Sequence, residues 1–117
     1  MQLVLLFFIH FIADFILQSR EMGQKKSSSW KWLGYHTTII FLAFVYFGWK
    51  FALVNAAIHA IIDRNIWGLY KWSTYYREPN ATVHNWKYWE DHLFYVTIGL
   101  DQFLHTATII LLAEYLL

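Results

Sequence analysis

Three pairs of side chains able to bind a metal or carry a proton recur at i, i+4 spacing: His10 with Asp14, His59 with Asp63, and Asp101 with His105. On a helix that spacing puts both members of a pair on one face, about one turn apart. His36 adds a further imidazole outside any pair. Imidazole and carboxylate together suit Zn, Mn, Fe or Ni, and a chain without cysteine has no soft ligand to favour Cu(I). These residue types predict a divalent metal held by His10, Asp14, His36, His59, Asp63 and His105, with Zn, Mn, Fe and Ni all compatible. Asp101 is the carboxylate assigned to catalysis. Gln18, Asn55 and Gln102 are the amides placed to meet the second ring nitrogen of a ligating histidine. With a coordination position open to water, such a metal lowers the pKa of that water and makes a hydroxide nucleophile.

A plainer reading competes at each position. A lone His or Asn in a membrane helix is commonly interhelical glue, and for His36, beside Thr37 and Thr38, glue and ligand fit equally. The three pairs recur on separate helices, which argues against coincidence. His84 and His92 fall in or beside a loop and read as solvated.

The elements that must position these groups follow from composition. Of 117 residues, 58% are hydrophobic, 21% aromatic and only 15% charged, and apolar runs cover about 2–17, 38–58 and 93–117. That is more apolar sequence than one small soluble core can absorb, so the expectation is a single-domain integral membrane protein. The fold class is all-α, a bundle of four transmembrane helices over about residues 1–18, 33–49, 51–70 and 92–116. The first apolar run has no positive flank or small-residue cleavage site and contains His10 and Asp14, so it reads as a retained helix. Residues 71–90, with Pro79 and several Trp and Tyr, are expected as a loop along the headgroups.

Charge gives the orientation. Arg20, Lys25, Lys26 and Lys31 lie in the first loop and Lys71, Arg77 and Lys87 in the third, with only Lys50 in the second. The positive-inside rule then puts both termini outside the cytoplasm. The expected location is a bacterial inner (cytoplasmic) membrane. Nucleic acid is excluded as a partner, because the basic residues flank apolar runs and build no groove-sized patch. The sequon Asn80-Ala81-Thr82 falls on the cytoplasmic side and reads as chance. At about 1.5 Å per residue, the polar groups of all four helices fall roughly 5–20 Å from the cytoplasmic helix ends. They form stripes: His10, Asp14 and Gln18; Asn55, His59 and Asp63; Thr97, Asp101, His105 and Thr108. Lipid exposure would cost several kcal/mol per ionisable group, so the stripes should face inward. Arg64, one residue after Asp63, should point about 100° away, to a headgroup phosphate or a neighbouring helix.

The ordered segments His10-Phe-Ile-Ala-Asp14-Phe-Ile-Leu-Gln18, His59-Ala-Ile-Ile-Asp63 and Asp101-Gln102-Phe-Leu-His105 carry a family likeness. With a lysine after the first segment (Lys25 or Lys26) and His36 opening the second helix, they resemble the small bacterial and phage membrane proteins of the domain-of-unknown-function family DUF3307. The resemblance spans nearly the whole chain except residues 75–89. That family has no settled activity, so the likeness supports the site more than a reaction. A looser likeness to inner-membrane metal-dependent hydrolases, which also carry His-x-x-x-Asp pairs, implies a metal and hydrolysis of a phospholipid or related ester.

Three functions fit these residues. The first is a metal-dependent hydrolase of a lipid or phosphoester in the bilayer. The second is a proton or ion relay or transport component, which buried Asp and His chains serve elsewhere. Against it stand four short helices without an inverted repeat. The third is a membrane adaptor whose polar core is structural. A homo-oligomer is compatible with all three.

Overall fold

The computed structural model describes residues 2–17, 29–80 and 86–117, and Arg20, Gln18, Lys25, Lys26 and His84 lie outside them. Four helices make up the described chain. α1, Gln2–Phe11, runs on into a π-helical segment, Ile12–Ile16. The wider turn is visible where the Leu17 N–H reaches the Ile12 carbonyl, 2.8 Å away. α2, Trp30–Phe44, tightens into a 3₁₀ turn at Val45–Phe47. α3 is Trp49–Arg77 and α4 is His92–Leu116, the latter preceded by a 3₁₀ turn at Tyr88–Glu90. No strand occurs among the described residues.

Local chemistry explains the breaks. Gly48 joins α2 to α3 at φ 144°, a conformation that a side chain would strain. α3 continues past the apolar run and stops at Arg77. Pro79 is the terminator: it disfavours helical backbone at the residue before it, and Glu78 sits at φ −137°, ψ 82°. The expectation of a loop from residue 71 is therefore corrected. Falling hydropathy does not end a helix when nothing interrupts its hydrogen bonds. α2 likewise begins three residues earlier than the apolar pattern suggests, at Trp30. At the head of α4 the Asp91 carboxylate accepts the Leu93 N–H at 3.3 Å, a side-chain cap.

α3 packs along both α2 and α4, and α1 closes the bundle against α2 and α4. One end of the interior is apolar, formed by Leu6, Ile40, Phe44, Phe51, Ala52 and Ile109. There the Phe44 and Phe51 rings meet edge to face, 5.8 Å between centroids. Beyond the middle of the bundle, Trp67 and Tyr70 of α3 pack on Phe94 of α4. Between these two apolar regions lies a layer of buried His and Asp.

The polarity is inverted. His36 and Asp63 are fully buried, while Phe8, Leu42, Ile61, Phe103 and Leu111 are more than half exposed. Among the described helices one, His92–Leu116, is long and apolar enough to cross a membrane, and Leu3–Ile16 is apolar but shorter.

Candidate metal centre

Each helix contributes to the polar layer. α1 brings His10 from its last α-helical turn and Asp14 from the π-helical segment. Such wide turns are frequent at functional sites. α2 supplies His36, α3 supplies Asn55, His59 and Asp63, and α4 supplies Asp101, Gln102 and His105. His10, Asp14, His36, Asn55, His59, Asp63, Asp101 and His105 are all buried, none more than 5% exposed.

Four of them converge on one point. His36 Nε2 lies 2.9 Å from His59 Nε2, 3.1 Å from Asp14 Oδ1 and 3.1 Å from Asp63 Oδ2. His59 Nε2 lies 3.4 Å from the same Asp14 oxygen and 3.3 Å from the same Asp63 oxygen. These are five edges of a small tetrahedron of lone-pair donors. Metal–ligand bonds of about 2.0–2.2 Å imply ligand–ligand edges of roughly 3.0 Å in octahedral and roughly 3.4 Å in tetrahedral coordination. The observed edges span that range. The four residues therefore could hold a metal ion.

A hydrogen-bond account of the same contacts runs short of protons. Each Nε2 carries at most one hydrogen, and the ionised carboxylates carry none. Two donors cannot serve five close contacts, whichever tautomers are chosen.

A second group adjoins the first. His105 Nε2 is 3.1 Å from Asp101 Oδ1 and 3.2 Å from Asp63 Oδ1. Asp14, Asp101 and His105 each place a donor atom within 4.8 Å of the others'. The two groups touch through the imidazoles of His59 and His105, tilted by 30° with centroids 3.8 Å apart.

Gln102 ties α1 to α4. Its amide nitrogen donates to Asp14 Oδ2 at 3.0 Å and to Asp101 Oδ2 at 3.1 Å. With two carboxylates fixing the amide nitrogen, its oxygen must face His10, whose Nε2 donates to it at 3.1 Å. That hydrogen bond leaves His10 outside both converging groups, 3.7 Å from Asp14 Oδ2. Asn55 is buried one turn from His59 on the same helix. Thus His36 stands at the centre, His10 at the margin, and Gln18 outside the described residues. His92 is exposed, as expected of a solvated residue. The Arg64 guanidinium lies 3.8 Å over the ring of Trp30 on α2, so it meets a neighbouring helix.

The register of α4 against α3 is pinned where Arg77 closes α3 and Asp91 caps α4. Arg77 donates from Nη1 and Nη2 to the two Asp91 oxygens, both at 3.0 Å. The Tyr70 hydroxyl donates to Asp91 Oδ2 at 2.8 Å, and Trp86 Nε1 donates to that hydroxyl at 3.2 Å. The Arg77 guanidinium holds the Asp91 carboxyl well down, to about 2. The same bond raises the guanidinium pKa further above its ordinary value.

No curated protein and no solved structure matches the chain, so the looser hydrolase likeness gains nothing from them. The family described as "Protein of unknown function (DUF3307)" matches residues 2–117, a stretch that contains every residue of the polar layer, and the chain belongs to that family.

Proposed function

We propose that the protein is an integral membrane protein that binds a divalent metal in its polar layer and uses it to hydrolyse a lipid or phosphoester. The metal reading rests on one observation. Five contacts of 2.9–3.4 Å link two imidazole nitrogens and two carboxylate oxygens that, with both carboxylates ionised, have at most two protons to share. His36, His59, Asp14 and Asp63 are the ligands, and Gln102 orients Asp14.

Membrane insertion is supported by the inverted polarity, since so much exposed apolar surface on a small protein needs a partner that lipid provides. At about 1.5 Å per residue, α3 and α4 measure roughly 44 and 38 Å, enough for a core of about 30 Å. α1 with its π-helical continuation reaches roughly 22 Å and would cross with local thinning of the bilayer. Positive-inside orientation places the loops joining α1 to α2 and α3 to α4 in the cytoplasm and both termini outside.

A bound divalent cation would acidify water and polarise an ester or phosphoryl oxygen. Around it, Asp101 and His105 form a carboxylate–imidazole pair able to take up and hold a proton at His105 Nε2. The buried layer excludes bulk water, which strengthens each of these charge interactions.

The test is elemental analysis of protein purified without a histidine tag, beside His59→Ala, with hydrolysis of a lipid and phosphoester panel before and after chelation. Stoichiometric metal in the wild type, its loss in the variant and chelator-sensitive hydrolysis are expected. Metal-free wild type would end the metal reading, and a metal-replete but inactive protein would end the hydrolase part. Proton movement in liposomes that chelators leave untouched would favour a relay instead.

A further inference from the structure

We infer that the polar layer holds two divalent cations, with the carboxylates of Asp63 and Asp14 bridging them. The inference rests on the metal reading above and extends it from one centre to a pair. Asp63 divides its oxygens: Oδ2 faces His36 and His59 at 3.1 and 3.3 Å, and Oδ1 faces His105 at 3.2 Å. A carboxylate that serves one metal needs only one direction. This one offers an oxygen to each of two donor groups.

Asp14 belongs to both groups as well. The first group is His36, His59, Asp14 and Asp63, and the second is His105, Asp101 and Asp14, with Asp63 Oδ1 in reach. Each group mixes imidazole with carboxylate, so each suits the same class of metal. Three carboxylates meet in this buried layer, all at most 3% exposed. Two divalent ions offset their mutual repulsion better than one. Paired metal sites hold their ions about 3.5–4 Å apart, and the two donor groups adjoin closely enough to share the Asp14 carboxylate and to meet on opposite oxygens of Asp63. On this assignment Asp101 and His105 are ligands, in place of the proton-holding pair that a single metal would leave.

Stoichiometry separates the two readings. Chelator-stripped wild-type protein is dialysed against Mn(II), and bound metal per chain is measured together with the electron paramagnetic resonance spectrum. Two Mn(II) per chain and an exchange-coupled spectrum are expected. Asp101→Asn and His105→Ala should each bring the content down to one and restore the hyperfine pattern of isolated Mn(II). One Mn(II) per chain with an isolated-ion spectrum in the wild type would overturn the pair and leave the single centre standing. No bound metal would overturn both. If the variants fail to fold, the wild-type spectrum decides alone.

Discussion

Replacing Gln102 with leucine probes how the site is held. The Gln102 amide makes two contacts across the α1–α4 interface, to Asp14 at 3.0 Å and His10 at 3.1 Å, and one to its own helix, to Asp101 at 3.1 Å. If it were only glue, Gln102→Leu would lower stability by roughly 0.6–2 kcal/mol per lost interhelical hydrogen bond. The surviving folded protein would then bind metal as before. If the amide orients Asp14 for a metal, affinity should also fall by about 10–100-fold, the usual effect of losing an outer-sphere partner. That is roughly 1.4–2.8 kcal/mol of binding free energy. Competition against a fluorescent chelator in detergent reads the dissociation constant, and thermal unfolding reads stability separately. Gln102→Glu sharpens the contrast, because it sets a further carboxylate against Asp14 and Asp101. An unchanged dissociation constant in Gln102→Leu, with only stability lowered, would refute the orienting role.

Further outcomes follow from the same geometry. The folded Asp91 carboxyl titrates at about 2, below its ordinary 3.8. A depressed folded pKa means its contribution is complete above about pH 4 and is lost as pH falls through about 2. Unfolding of Asp91→Asn in detergent should therefore lose less stability than the wild type across that window, and parallel profiles would contradict the Arg77 pairing. Loss of the same clamp in Arg77→Ala should loosen the start of α4, seen as faster hydrogen exchange near residues 92–95 without loss of metal. Topology can be read with single cysteines at positions 28 and 117, since the native chain has none. An impermeant thiol reagent should label position 117 and not 28 in intact bacteria, and the reverse pattern would invert the proposed orientation.

The sequence exposed the parts of the site that obey helical periodicity. His10 with Asp14, His59 with Asp63, and Asp101 with His105 declare a shared face because four residues make about one turn. The bounds of the fourth helix, residues 92–116, follow the apolar run 93–117, whose few polar residues do not interrupt a helix. His36 was harder to weigh. It has no i, i+4 partner, and only the approach of α2 to α1 and α3 gives it three neighbours within 3.1 Å. The π-helical turn at Ile12–Ile16 left no signal, because a five-residue segment of this kind is a tertiary adjustment without its own composition. His10 drops to the margin for a related reason: the Gln102 amide, arriving from α4, occupies its Nε2. Hydropathy alone would end α3 near residue 70, but polar and aromatic residues from Lys71 to Arg77 continue the helix until Pro79 stops it.

The central claim is that His36, His59, Asp14 and Asp63 ligate a metal. X-ray absorption at the edge of the bound metal, on untagged protein purified without chelator, tests it most directly. The account predicts a shell of nitrogen and oxygen only, at about 2.0–2.2 Å, with the outer-shell scattering of imidazole that weakens in His36→Ala. Metal-free protein, or a shell without imidazole that His36→Ala leaves unchanged, would contradict it.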